Sequence, residues 1–197
     1  MKKNTIKRVL SLVFAVMLII STFVSCGGAP ETPHAVLSFN GDYFYYGMEI
    51  DPDKLLEKYP GTVISGSSYA ISPEVSLILR EVDGKHIIVA YFINTAGSAK
   101  IDGIGYGDSK KKYLSNFENS TEISSDATGN SVLGYYFYEG KKISYSKYYQ
   151  YLNASRFEGT EAYENFLNNV IVSTALSNGT VVLAMSYGDY HAIYDGK

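Results

Sequence analysis

Tryptophan is absent from this 197-residue chain, and cysteine occurs only once. A lone thiol makes no intramolecular disulfide and no Cys-based metal site, so neither kind of staple is available to the fold. Long apolar runs are also missing, apart from Val9–Val24. A helix that crosses a bilayer needs about 20 apolar residues. This run is shorter than that and is interrupted by Ser11, Ser21 and Thr22, which argues against a permanent membrane span. Histidine, the commonest general base and metal ligand, appears three times, at His34, His86 and His191.

What is present at the N-terminus is an address. Lys2, Lys3, Lys7 and Arg8 form a basic segment, the apolar run follows, and it closes on Phe23-Val24-Ser25-Cys26 before Gly27-Gly28. That is the anatomy of a secretory signal. It resembles the lipobox of bacterial lipoproteins, whose cysteine receives a diacylglyceryl group and becomes the mature N-terminus. Val24 and Ser25 fit the small residues required there, while Phe23 stands where the family usually has Leu. Ordinary secretory cleavage is the weaker alternative, because the nearest small-x-small site, Gly27-Gly28-Ala29, is followed by Pro30. The resemblance implies lipidation and palmitate labelling at Cys26, loss of residues 1–25, and an extracytoplasmic domain held to a bacterial membrane. Thiolate chemistry is then excluded as well.

Loss of residues 1–25 removes four basic residues and no acidic one. The mature chain keeps 13 basic against 20 acidic residues, a net charge of −7. Nucleic acid needs a basic footprint to displace phosphate counterions, so it is excluded as a partner. Net charge also argues against adsorption to anionic lipid, which leaves the lipid on Cys26 as the attachment. Stable anchoring takes two or more acyl chains.

Residues 27–34 are rich in Gly and Pro and read as a flexible tether. Residues 35–197 are expected to form an α+β domain with antiparallel sheets and two or three short helices. Asn40-Gly41, Asp83-Gly84 and Asn178-Gly179 each mark a hairpin turn. They predict paired strands over Ala35–Phe39 and Asp42–Gly47, over Glu74–Val82 and Lys85–Asn94, and over Ile171–Ser177 and Thr180–Tyr187. Pairing Val82 with Lys85 puts Leu77, Leu79, Ile88 and Phe92 on one face and Ile78, Ile87, Val89 and Tyr91 on the other. Asp51 as cap, Pro52 at the first position and Pro60 as stop predict a short helix. Asp108–Phe117 and Thr160–Asn168 are two more helices. Strands are expected at Lys100–Gly107, Ser131–Glu139, Lys141–Tyr151 and Tyr190–Tyr194.

A faint repeat runs through this pattern. Tyr46-Gly47 precedes the helix containing Leu55-Leu56-Glu57-Lys58-Tyr59, and Tyr106-Gly107 precedes that containing Tyr113-Leu114-Ser115-Asn116-Phe117. Two repeats, about 35–99 and 100–197, would each be a helix followed by a strand meander. That unit resembles the tandem modules of β-lactamase-inhibitor-like lipoprotein domains.

Catalytic signatures are wanting. No Gly-x-Ser-x-Gly elbow places a serine nucleophile. No Asp-x-Asp-x-Asp-Gly loop or His-x-x-x-His pair offers a metal site. Gly103, Gly105 and Gly107 sit in antiparallel surroundings and mark close packing rather than a phosphate loop. His86 falls opposite Glu81 as a cross-strand pair, and the Asp126–Asn130 segment reads as a surface loop. No cofactor is called for. The 19 tyrosines suit half-buried strands, where the ring packs and the hydroxyl stays wet. A concentration of them on two paired strands makes Tyr135, Tyr136, Tyr138, Tyr145 and Tyr149 the candidate ligand-binding residues. The expected function is a non-catalytic, lipid-anchored binding module with a protein or polysaccharide partner. The alternative is a surface hydrolase using acids such as Glu74, Glu81 or Asp189, for which two carboxylates about 5–9 Å apart would be the mark.

Overall fold

Asn40 and Gly41 both take positive φ, 51° and 86°, as a two-residue type I′ turn demands. They close a hairpin of β1 (Val36–Phe39) and β2 (Asp42–Tyr45). The structure is a computed structural model that describes residues 35–117, 120–125, 127, 129–139 and 141–194. Cys26, His34 and Asp126 lie outside the described residues. After the first hairpin come β3 (Glu49–Ile50), α1 (Pro52–Lys58), β4 (Val63–Ser65), β5 (Ser68–Ala70), β6 (Val75–Val82) and β7 (Lys85–Ile93). β8 (Lys100–Ile101), α2 (Lys110–Asn116), β9 (Thr121–Ser125), β10 (Asn130–Tyr138) and β11 (Lys141–Ile143) follow. The chain ends on α3 (Tyr145–Glu158), α4 (Thr160–Asn168), β12 (Val170–Asn178), β13 (Val181–Asp189) and α5 (Tyr190–Tyr194). The fold is α+β, with every described strand pair antiparallel.

The large sheet runs β10-β12-β13-β7-β6-β5-β4, with β9 and β11 sharing the outer edge of β10. One face is covered by the small sheet β2-β1-β8 and by α1 and α2. There Leu37, Phe44, Leu55, Ile101 and Tyr113 meet Leu77, Tyr91, Leu133 and Tyr187 in one core. On the opposite face α3 and α4 cover Tyr136, Val170 and Val172 with Tyr148, Leu152, Phe166 and Leu167. Burial of each large apolar side chain contributes roughly 1.5–3 kcal/mol.

Two stretches of the chain share an order of elements. Each half is a helix followed by four strands, β4-β5-β6-β7 and then β9-β10-β12-β13, with β11, α3 and α4 inserted before β12. Gly47 and Gly107 both take positive φ, 82° and 84°. Gly47 N–H donates to Ile88 O and Ile88 N–H to Met48 O, at 2.8 and 2.9 Å, while Gly107 N–H donates to Val182 O and Val182 N–H to Asp108 O, both at 2.8 Å. Each helix exit is tied the same way, with Thr62 N–H and hydroxyl on Tyr59 O and Ser120 N–H and hydroxyl on Phe117 O. The halves meet at β7 and β13, where Tyr91 pairs with Tyr187. Their rings are fully buried and stacked, 5.5 Å apart.

Several local expectations change. A bulge between Ile78 and Leu79 shifts the far half of the hairpin, so Tyr91 joins Leu77 in the core and Phe92 faces away with Ser76. Lys100–Gly107 is a strand only at Lys100–Ile101, because Asp102 and Gly103 turn the chain with φ of 48° and 78°. Lys141–Tyr151 is a strand only to Ile143. Ser144 then caps α3 by accepting from Lys147 N–H, and Tyr148, Leu152 and Ser155 repeat at helical spacing on its buried side. Tyr190–Tyr194 is α5 rather than a strand, with Ala192 packed on Ile78, Val89 and Ala90. The described residues hold five helices where two or three were expected.

Candidate binding surface

The helical turn of α3 separates the five tyrosines expected on two paired strands. Tyr135 and Tyr136 are 1% and 3% exposed and point to opposite sides of β10. Tyr135 packs on Phe117 and Phe137 in the main core, and Tyr136 stacks on Tyr148 with ring centroids 4.0 Å apart. Tyr138 is half-buried against Tyr151 and Phe166, and Tyr145 is half-buried between Tyr136, Tyr148 and Tyr149. Of the five only Tyr149 is exposed. Tyr136, Tyr138 and Tyr145 belong to the packing between α3 and the sheet. Burial accordingly pushes the phenols of Tyr135, Tyr136 and Tyr148 well above the usual tyrosine range.

Acids singled out for hydrolysis are tied into the fold. Asp189 accepts from Tyr46 Oη at 2.6 Å and from Arg80 Nη1 at 2.7 Å. Burial, with the Asp189 carboxylate beside it, raises the Tyr46 phenol. The Glu74 carboxylate accepts the Ala99 N–H, and Glu81 lies opposite His86 near the exposed end of β6. His191 is 3.6 Å from Glu164. No group of three or more His, Cys, Asp or Glu suited to a metal ion occurs among the described residues.

An opening that sequence reasoning missed lies beside α1. Asp51 accepts from the N–H groups of Asp53 and Lys54 and Pro52 opens the helix, so α1 starts directly after β3 and runs alongside β2. Between them is a groove of about 350 Å³ lined by Phe44, Met48, Ile50, Leu55 and Tyr59, with Asp42, Tyr43, Glu49, Asp51, Lys54 and Lys58 around it. That volume is in the range of small-molecule and side-chain sites. At one end Asp42 accepts from Lys58 Nζ at 2.5 Å and from Tyr59 Oη. These two contacts hold its carboxyl below the usual carboxylate range. Glu49 pairs with Lys85 and Asp51 with Lys54, so the rim carries balanced charge.

The second half differs at the corresponding helix positions. Tyr113 and Phe117 stand where α1 has Leu55 and Tyr59. Both are buried, with ring centroids 4.8 Å apart. Only a comparison of the two helices side by side would have pointed to the groove in the sequence, and it needs the register that the tertiary structure supplies. No described helix is long and apolar enough to cross a membrane. Comparison with known proteins yields no match to a family model, to a curated protein or to a solved structure.

Proposed function

We propose that this chain is a lipid-anchored binding module on the outer side of a bacterial membrane, and that its ligand site is the groove beside α1. The open groove carries the reading: an apolar floor ringed by paired charges, beside a helix whose counterpart in the second half buries Tyr113 and Phe117 at the corresponding positions. Such a site takes a compact apolar group of a protein or polysaccharide partner, and the mixed rim orients polar atoms around it. The signal-like N-terminus and Cys26 supply the anchor.

Two measurements test the two halves of this reading. Expressed in a host that processes lipoproteins, the chain should incorporate palmitate and partition into detergent, and Cys26→Ser should do neither. Equal labelling of the variant would end the anchor reading. For the groove, partners captured from detergent-solubilised envelopes should be lost with Ile50→Lys, a change at a half-buried lining position, while circular dichroism stays unaltered. A captured set that survives Ile50→Lys would refute the groove.

A further inference from the structure

We propose that the outer face of the β2-β1-β8 sheet rests on the membrane, with Tyr43 and Tyr45 in the interfacial layer of the lipid. This rests on the reading of Cys26 as the lipidated residue. Strand alternation turns Leu37, Phe39, Phe44 and Ile101 into the core and Val36, Ser38, Tyr43, Tyr45 and Lys100 outward. Register sets Tyr45 opposite Val36, Tyr43 opposite Ser38, and Lys100 beside Ser38 on the other side. Two rings, 65% and 44% exposed, therefore stand over small neighbours and next to a lysine. None of the five outward residues is acidic, in a mature chain of net charge −7. The carboxylates flanking these strands in sequence are engaged. Asp42 binds Lys58 and Tyr59, and Asp102 accepts the Val36 N–H at 2.7 Å.

The point of chain entry selects this face. Val36 opens the first strand, and Cys26 stands nine residues before Ala35. Such a tether reaches about 30 Å when fully extended and roughly 16 Å as a relaxed coil. A domain of this length is about 40 Å across. The surface around Val36 can therefore meet the headgroups, and the far surface cannot. Tyrosine suits that layer, since its ring is apolar and its hydroxyl wet. The Lys100 stem can lie along the rings and bring its ammonium to lipid phosphate. The most exposed large apolar side chain among the described residues is Phe157 on α3, at 93%. It adjoins Glu158, and α3 packs on the opposite face of the large sheet.

Because the chain has no tryptophan, Tyr43→Trp introduces a unique fluorophore at an open position, and Phe157→Trp provides the control. Each full chain, purified with its lipid from membranes, would be placed in phosphatidylglycerol vesicles carrying lipids brominated near the headgroup. Emission from Tyr43→Trp should shift to the blue and be quenched several-fold more than that from Phe157→Trp. Equal quenching, quenching of Phe157→Trp alone, or none would overturn the proposal. A blue shift in whole envelopes without quenching in pure vesicles would assign the face to an envelope protein or polymer, and would also overturn it. Palmitate in the same samples reports on the anchor separately. A labelled chain with unquenched Tyr43→Trp leaves the anchor standing, and an unlabelled chain removes both readings.

Discussion

Gly188→Ala tests the seam between the two halves directly. Gly188 lies on β13 opposite Ala90 of β7, one residue from the stacked pair Tyr91 and Tyr187. A Cβ built on Gly188 falls under 3.0 Å from Val89 O and from Ala90 Cα and Cβ. Two of those atoms are backbone, so no side-chain rotation relieves the contact, and the strands must separate. The residue also holds φ at 152°, which L side chains rarely adopt. Overpacking of this kind costs about 1–3 kcal/mol and a strained φ a further 1–3 kcal/mol. The expected loss is therefore about 2–6 kcal/mol, a large share of the 5–15 kcal/mol typical of a domain. Urea unfolding followed by circular dichroism should show a lower midpoint with little change in slope. Gly61→Ala is the internal control. Gly61 has no positive φ and open space around it, so the same methyl should be neutral or stabilise by up to about 1 kcal/mol. Ala90→Gly in the Gly188→Ala background should restore part of the loss, since the Val89 O contact remains. A loss from Gly188→Ala below about 1 kcal/mol would mean that β7 and β13 do not meet as described.

Tyr46→Phe removes the hydroxyl that Asp189 accepts while leaving Arg80 in place. A hydrogen bond to a charged group contributes about 1.5–3 kcal/mol, so urea unfolding should show a loss in that range, and an unchanged midpoint would contradict it. Asp42→Asn should alter the acid side of the stability profile. Contacts with Lys58 and Tyr59 lower the carboxyl pKa in the folded state. The stabilisation is thus present above the ordinary carboxylate range and disappears as pH falls through the lowered value. Wild type should lose its advantage over Asp42→Asn in that acid window, and a constant difference between the two down to the most acidic pH would refute the assignment.

Local chemistry determined a good deal of this protein. Asn-Gly and Asp-Gly turns need positive φ, so the hairpins at Asn40-Gly41 and Asp83-Gly84 were readable from dipeptides, while the third turns one residue later, at Gly179-Thr180, with Asn178 still paired in β12. Asp51-Pro52 and Pro60 bound α1 for equally local reasons, and Thr160–Asn168 was legible from its spacing. The paired Tyr-Gly segments at Tyr46-Gly47 and Tyr106-Gly107 marked the turns that precede each helix. Tertiary packing decided the rest. Tyrosine favours strands, yet residues 145–151 became helix because Ser144 caps them and Tyr148 and Leu152 bury against Tyr136 and Phe166. A bulge of one residue at Ile78/Leu79 exchanged the roles of Tyr91 and Phe92, which no alternation pattern can foresee. The groove beside α1 lies where Tyr59 stays half-buried, whereas Phe117 at the corresponding position of the second half is buried in the core. Which aromatic rings are left for a partner is a property of facing surfaces. It follows from what each side chain meets across the fold, and a sequence does not carry that information residue by residue.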